Sequence, residues 1–175
     1  MSATPSWRIR PCRSGDAVAV HELIRQLAEY EREPDAVQGT SDDLHRALFA
    51  EAPLLHGLVA ELDPVGGPTR IAGMALWFVT YSTWRGRHGI WLEDLFVAPS
   101  ARELGLGRAL LAELAAEALR RGYARLEWNV LDWNAPALAF YRRLGAQPLS
   151  DWTVHRVTGS ALDALARRGD GPGVR

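Results

Sequence analysis

A short segment rich in glycine and arginine, residues 102–108, has the composition of an anion-binding turn. It follows an apolar run at residues 92–97 and precedes leucines at helical spacing, so it predicts a turn between a strand and a helix. The first amides of a helix lack partners within the helix and lie at the positive end of its dipole. Gly105 and Gly107 would let a phosphate approach these amides, and Arg102 and Arg108 add positive charge. The segment therefore predicts a phosphate site; the alternative is that the two glycines merely ease entry into an ordinary helix.

Two familiar phosphate motifs can be compared with this spacing. The P-loop requires a lysine, and the chain contains none, so that motif is excluded. The dinucleotide-binding fingerprint requires a third glycine where Leu110 stands, although Asp132 lies near the position of its acidic residue. A dinucleotide-binding fold is therefore the second interpretation of this region.

Two adjacent carboxylates, Glu93 and Asp94, lie inside the apolar run that precedes the turn. Carboxylates are rare in a buried strand, because each needs a partner or a polar cleft. Successive side chains of a strand point to opposite faces, so we expect the two to perform separate tasks and not to act as one acid–base pair. The alternative is an exposed strand edge or an ion pair with an arginine.

Alternating strands and helices must hold these residues in place. Apolar patterns predict strands at residues 7–10, 54–62, 71–81, 89–97, 125–131 and 149–158. They predict helices that begin near Ser14, at Thr40 or Ser41, near Leu104 and after the capping residue Asn134. A turn rich in proline and glycine at residues 63–68 requires antiparallel neighbours, so the fold class is α/β with a mixed sheet.

The composition narrows the class of protein. A chain of 175 residues with 47% hydrophobic residues predicts one domain over residues 1–167, followed by a flexible tail at 168–175. A formal net charge of -1 argues against nucleic acid as a partner. The sequence shows neither a long apolar span nor a secretory signal, so we expect a cytoplasmic protein with no membrane partner. The single Cys12 cannot form an internal disulfide, and the five histidines lack metal-ligand spacing, so no metal site is expected.

Longer blocks of sequence carry a resemblance to a known family. The pattern Arg-x-x-Gly-x-Gly at residues 102–107, after Phe-Val-Ala-Pro, resembles the acetyl-CoA motif of the GCN5-related N-acetyltransferases (GNAT). The stretches IRPCRSGDAVAVHELIRQLAEYE, TYSTWRGR, WLEDLFV and VLDWNAPALAFYRRLGA resemble the diamine N-acetyltransferases, the branch that includes the spermidine/spermine and thialysine enzymes. The resemblance extends from Trp7 to about Ala166.

The resemblance implies a fold and a reaction. The implied fold is a mostly antiparallel sheet of six or seven strands, splayed into a V that takes the pantetheine arm of acetyl-CoA and flanked by about four helices. The implied reaction transfers the acetyl group of acetyl-CoA to a primary amine of a small diamine or of an amino acid side chain. Ser82 resembles the thialysine branch more than the spermidine branch. A homodimer is also implied, with the strand around Trp152 at the subunit interface.

The resemblance further assigns roles to single residues. Tyr141 is the implied acid that protonates the departing thiolate, and Glu93 is the implied base, acting directly or through water. The residues implied to bind acetyl-CoA are Leu95, Phe96, Val97, Arg102, Leu104, Gly105, Leu106, Gly107, Arg108, Asn134, Pro136 and Tyr141. The residues implied to bind the amine are Glu31, Trp84, Glu93, Asp94 and Trp152. Without the resemblance, the helical spacing of Tyr141 predicts an aromatic residue of the core.

Other readings stay open at this stage. The chain could be a module that binds an acyl-CoA or a nucleotide without turnover, although Tyr141, Glu93 and Asn134 together argue against that. It could also acetylate a protein N-terminus or a lysine. Glu103 stands where close relatives often have glycine, which leaves a carboxylate near the phosphates. Trp77, Trp91 and Trp128 lie in predicted strands and are expected in the core.

Overall fold

Five strands form one sheet in the computed structural model, which describes residues 5–168. The strands are β1 (Ser6–Pro11), β2 (His56–Asp63), β3 (Arg70–Ser82), β4 (Arg87–Val97) and β5 (Leu126–Trp128), and they lie side by side in chain order. The pairings from β1 to β4 are antiparallel, and β5 pairs with β4 in parallel. The predicted mixed, mostly antiparallel sheet is thus confirmed, with five strands in the described part of the chain instead of six or seven.

Five α-helices accompany the sheet within the described residues. They are α1 (Ala17–Tyr30), α2 (Ser41–Phe49), α3 (Leu106–Arg120), α4 (Ala135–Arg143) and α5 (Gly159–Arg168), the last of which the sequence patterns did not predict. Thr40 caps α2 by accepting a hydrogen bond from the amide of Asp43, and Asn134 caps α4 by accepting one from the amide of Ala137. None of these helices is long and apolar enough to cross a membrane.

The described residues divide into two compact units between Asn129 and Val130. The first unit contains the sheet and α1 to α3. Helices α1 and α2 cover one face of the sheet, which we call the α1 face, and the core there is built from Val20, Leu23, Leu44, Leu48, Val59, Met74, Leu76, Phe96 and Ala98. Helix α3 packs against β1 to β4 and buries Leu106, Leu110 and Leu114. Strand β4 therefore packs against both α1 and α3.

The second unit contains α4, α5 and the segment between them. The strand predicted at residues 149–158 is wrong, because the structure shows no regular strand there. An alternating pattern makes a strand only when a neighbouring backbone pairs with it, and an isolated strand is marginal in water. Leu149, Trp152 and Val154 are instead exposed. The tail predicted from residue 168 falls at residues 169–175 outside the described residues, while α5 continues to Arg168.

Candidate active site

The candidate site begins where β4 loses one of its two neighbours. Strand β5 pairs with β4 only at Ile90, Trp91 and Leu92, whereas β3 stays paired with β4 as far as Val97. The strand predicted at 125–131 is therefore only three residues long, Leu126–Trp128. On the side of β5, residues 93–97 of β4 have no strand partner within residues 5–168, and we call this unpaired side the opening along β4. The resemblance implies such a separation of the two strands.

A β-bulge at Glu93 sets the direction of the two carboxylates. Leu76 pairs with Asp94 and its neighbour Trp77 pairs with Leu92, so Glu93 is an extra residue on β4. Cross-strand partners share a face, which places Asp94 on the α1 face with Leu76. The side chain of Glu93 lies on that same face, because it accepts a hydrogen bond from Trp91, the cross-strand partner of Phe78.

The expectation that Glu93 and Asp94 point to opposite faces is therefore wrong. Strict alternation applies to a regular strand, and the bulge resets it by one residue. Both carboxylates lie on the α1 face and can act on the same ligand.

Asp94, Glu93 and Glu31 lie close enough to interact electrostatically. Burial, together with the nearby charges of Glu93 and Glu31, raises the pKa of Asp94 to about 6. Glu31 caps the C-terminal end of α1, and burial also raises the pKa of its carboxyl group. Three carboxylates thus share one region of the first unit. Such a cluster favours a cationic ligand, and near neutral pH Asp94 can exchange a proton.

Two aromatic residues, Trp91 and Phe78, lie beside the carboxylates. The indole Nε1 of Trp91 donates a hydrogen bond of 2.9 Å to Oε2 of Glu93, and the rings of Trp91 and Phe78 lie 6.4 Å apart at 32°. Trp77 is buried as expected, but Trp91 is half-buried and faces a site residue. Sequence reasoning missed this role because an aromatic residue in a strand is more often a core residue. Its position two residues before Glu93 was the available signal.

The start of α3 has the open geometry that a phosphate requires. Gly105 adopts a φ of 82° and precedes the helix without a side-chain cap, so no side chain occupies the first amides of α3. A Cβ added at Gly105 would meet no atom within 4 Å, which shows that the space beyond it is open. Gly107 lies in the first turn and Arg108 is exposed. These uncapped amides beside open space fit the pyrophosphate of acetyl-CoA, and the exposed Arg108 adds a positive charge in the same turn.

The remaining predicted acetyl-CoA residues of the first unit have mixed environments. The side chains of Phe96 and Leu106 are buried in the core, so only their backbones can contact a ligand, whereas Leu95, Val97 and Leu104 are half-buried. The guanidinium of Arg102 lies 5.2 Å from the ring centre of Tyr30 and 5.9 Å from that of Phe96, and its Nε donates to the carbonyl of Val97 at 3.4 Å. Arg102 therefore links the turn to the end of α1.

Glu103 occupies an unusual backbone conformation. Its φ is 68°, in the left-handed region that L side chains rarely adopt. A glycine would fit this conformation without steric cost. The side chain of Glu103 is exposed just before α3.

The other predicted residues lie at a hairpin or in the second unit. Trp84 lies in the turn between β3 and β4 and is 89% exposed, while Ser82 is buried and accepts a hydrogen bond from the amide of Arg85. In the second unit Asn134 is buried at the start of α4, Pro136 is exposed, and Tyr141 is half-buried with its ring 5.3 Å from that of Phe140. Trp152 is 71% exposed.

A separate cavity of about 330 Å³ lies by the C-terminal half of α3. His56 and Trp77 line it with their rings 4.4 Å apart, and Glu117 and Arg121 lie at its wall. These two charges pair with each other at 2.5 Å. The cavity contains none of the predicted site residues, so it is distinct from the opening along β4.

Known proteins are similar to this chain over most of its length. The family model described as "Acetyltransferase (GNAT) family" matches residues 19–146. A thialysine N-epsilon-acetyltransferase of Bos taurus is 39% identical over 90% of this chain and 96% of its own length. An L-ornithine N5-acetyltransferase of Arabidopsis thaliana is 29% identical over 90% of this chain and 87% of its own length.

Solved structures share the fold of this chain. An integron cassette protein from V. cholerae aligns with a TM-score of 0.74 at 23% identity, covering 93% of this chain and 98% of that protein. The match of the family model to most of the chain, together with the Bos taurus relative, shows the family. The chain belongs to the acetyltransferase (GNAT) family and is an N-acetyltransferase.

Proposed function

We propose that this enzyme transfers the acetyl group of acetyl-CoA to the primary amine of a small diamine or of an amino acid side chain, with a thialysine-like amine as the preferred substrate. One observation carries the proposal: Glu93 and Asp94 share the α1 face with Glu31 nearby, at the point where β4 separates from β5. A cationic amine is the ligand that such a cluster favours.

The amine must lose a proton before it attacks a thioester. Asp94 and Glu31 attract the ammonium form, and Glu93 accepts the proton directly or through water as the nitrogen attacks. The exposed position of Glu93 on a bulge suits this task, because a water or a substrate can reach its carboxylate. Asp94 is the more buried of the two and suits the holding role.

Acetyl-CoA supplies the activated acetyl group as a thioester. The amides at Leu106, Gly107 and Arg108, behind the open space at Gly105, are the proposed phosphate ligands. The backbones of Leu95 and Val97 lie along the side of β4 that β5 leaves unpaired, which supports their pairing with the pantetheine arm. Tyr141 is the proposed acid for the departing thiolate, and Asn134 and Pro136 begin the helix that carries it.

The preference for an amino acid side chain has two supports. The relatives named above are a thialysine and an L-ornithine acetyltransferase, both named for an amino acid substrate. Ser82 carries no charge and its hydroxyl accepts a hydrogen bond from the amide of Arg85, so it offers no carboxylate for the second amine of a polyamine. Trp84 and Trp152 remain proposed contacts for the substrate.

A panel of amines tests the proposal. The purified chain is mixed with acetyl-CoA and with thialysine, lysine, ornithine, diaminopropane or spermidine, and release of the CoA thiol is followed. We expect the highest kcat/KM with thialysine and a loss of at least about 100-fold in Glu93→Gln. Thiol release with none of these amines, despite tight binding of acetyl-CoA, would favour a binding module or a protein substrate instead.

Calorimetry tests the phosphate site separately. Gly105→Asp and Gly107→Asp add bulk and negative charge at the proposed amides, so each should weaken binding of CoA by at least about 10-fold. Gly66→Asp is a matched control for Gly105→Asp, because Gly66 also has a positive φ, of 77°, has open space around its Cβ position and lies outside the proposed site. Unchanged CoA affinity in both α3 variants would place the phosphates elsewhere.

We also propose a homodimer built through the C-terminal segment. In the second unit the apolar residues Leu149, Trp152, Val154 and Val157 are exposed. Exposed apolar residues concentrated in one segment are typical of a protein interface. These exposed groups support a homodimer with the segment around Trp152 at its interface.

A further inference from the structure

Glu93 lies at a point of the sheet where neither neighbouring strand pairs with it. As the extra residue of the bulge it has no cross-strand partner in β3, and it follows Leu92, the last residue of β4 that β5 pairs. Its side chain is exposed and has several rotatable bonds. A base must stay within hydrogen-bond reach of the proton it takes, so some other group must hold this carboxylate.

Trp91 has the position and the rigidity to do so. Its backbone is paired on both sides, with Phe78 in β3 and Glu127 in β5, and its ring packs 6.4 Å from that of Phe78. From this fixed base the indole Nε1 donates a hydrogen bond of 2.9 Å to Oε2 of Glu93. Indole is a donor only, so it can bind the ionised carboxylate and cannot compete with it for a proton.

We infer that Trp91 is a positioning residue for acetyl transfer, whose indole N–H holds Oε2 of Glu93 so that Oε1 faces the amine. This inference rests on the proposed role of Glu93 as the base. The hydrogen bond fixes one oxygen and leaves the other to accept the proton from the amine or from a water. No covalent bond to Trp91 or Glu93 forms, and the proton is the only group transferred between the amine and the enzyme.

The substitution Trp91→Phe removes the N–H and retains a flat ring against Phe78. Hydrogen bonds to a charged group contribute about 1.5–3 kcal/mol, which corresponds to roughly a 10- to 100-fold change in rate when the bond acts only in the reaction. We expect kcat to fall by that factor, while KM for the amine changes less than about threefold and CoA affinity is retained. Trp7→Phe on β1 is the matched control, since Trp7 is also partly exposed on a strand and lies outside the site.

A double-mutant cycle separates positioning from a merely structural role. If Trp91 acts through Glu93, Trp91→Phe lowers kcat in the wild-type background and leaves the residual kcat of Glu93→Gln unchanged. An equal loss in both backgrounds would overturn the inference, because it would show that Trp91 acts on the sheet or the substrate. A rise in KM without a fall in kcat would overturn it as well.

The same four proteins distinguish this inference from the proposed function. A Glu93→Gln enzyme with wild-type kcat would remove Glu93 as the base, and the proposed chemistry would fail with it. A slow Glu93→Gln enzyme together with a Trp91→Phe enzyme of wild-type kcat would leave the proposed base in place and would overturn the positioning role alone. Thermal unfolding of each variant checks that the fold is intact.

Discussion

The proposed role of Tyr141 as an acid depends on a single group, its hydroxyl. If its hydroxyl protonates the departing thiolate, Tyr141→Phe keeps the ring packed against Phe140 and removes only the acid. We expect kcat to fall by roughly 10² to 10⁴ with unchanged CoA affinity and melting temperature. The CoA thiolate can depart without protonation, so the loss is large but incomplete.

Tyr123→Phe is the matched control for this measurement, since it removes a hydroxyl from an aromatic residue outside the proposed site. Wild-type turnover by Tyr141→Phe, under conditions where a burst experiment shows chemistry to be rate-limiting, would make Tyr141 a packing residue only.

Asp94 gives the site a dependence on pH. Its pKa rises from 3.8 to about 6 on folding, so the folded state binds the proton more tightly than the unfolded state. The contribution of this group to stability is therefore complete below about pH 4 and declines as the pH rises to about 6. Asp94→Asn should be about 3 kcal/mol more stable than the wild type above pH 6 and equal to it below pH 4. Urea unfolding of both proteins across this range measures the difference.

The same titration should appear in substrate binding. Below pH 6 Asp94 becomes neutral and attracts the ammonium group less, so KM for the amine should rise as the pH falls through 6. In Asp94→Asn, KM should be high and flat across that range. A wild-type KM that is constant from pH 5 to pH 7 would contradict the proposed contact between Asp94 and the amine.

Glu103 combines a strained backbone with an unfavourable charge. In Glu103→Gly the relief of a positive φ, about 1–2 kcal/mol, is largely offset by the greater freedom of glycine in the unfolded chain. Stability should hence change little, whereas CoA affinity should rise about two- to fivefold at low salt because a carboxylate leaves the proposed phosphate site. Glu103→Gln should give the same gain without the backbone effect. Equal CoA affinity in all three proteins would show that Glu103 points away from the phosphates.

Residue types at the site could be predicted from the sequence, but some of their directions could not. The adjacent pair Glu93 and Asp94 was visible as a chemical signal, and the start of α3 was visible from Gly105 and Gly107. The bulge was not visible, because a single extra residue leaves the apolar pattern of β4 almost unchanged while it moves Asp94 to the α1 face. The hydrogen bond from Trp91 depends on that local geometry and was missed with it.

Strand β1 is joined to β2 and to the start of α1 by one arginine. Arg10 donates to Glu61 at 2.7 Å and to both oxygens of Asp16 at 2.6 and 3.0 Å, and its side chain is only 11% exposed. These contacts lower the pKa of Asp16 and of Glu61, so the stability they provide is present above the ordinary pKa values and is lost as the pH falls through the lowered ones.

Arg10→Met should therefore destabilise the enzyme at pH 7, and the loss should shrink as the pH falls below the ordinary pKa values of Asp16 and Glu61. We expect a loss of about 2 kcal/mol, between the ~1 kcal/mol of exposed ion pairs and the ~4 kcal/mol of breaking fully buried ones. Arg46→Met is the matched control, because the pair of Arg46 with Asp43 is exposed on α2. The same loss in both variants, measured by urea unfolding, would show that the network of Arg10 is no stronger than a surface pair.

Helices and strands with local signals were predictable, and those that depend on distant partners were not. Thr40 and Asn134 marked the starts of α2 and α4, because a helix cap acts within three residues. The segments at residues 125–131 and 149–158 show alternation as clear as that of β1, yet the first forms a strand of three residues and the second forms none. Whether such a segment pairs is decided by a neighbouring backbone, either from a distant part of the chain or from a second copy.

The exposed apolar residues of the second unit bear on whether two whole molecules associate. Trp152 and Val154 are 71% and 70% exposed in a segment whose alternation suits a strand. Leaving such groups in water costs about 1.5–3 kcal/mol for each side chain that could be buried. Association of two copies through this segment would bury them and could supply the missing strand partner.

Sedimentation equilibrium tests this association. We expect a mass of twice the 19.3 kDa chain at micromolar concentration, and Trp152→Glu with Val154→Glu should weaken the dimer by at least about 100-fold, because charges would be buried at its centre. Leu54→Glu is the matched control, since Leu54 is just as exposed but lies in the first unit. A wild-type mass near 19.3 kDa would rule out a stable dimer at this concentration. If instead Leu54→Glu dissociated the dimer and the C-terminal variant did not, the interface would lie on the first unit, away from Trp152.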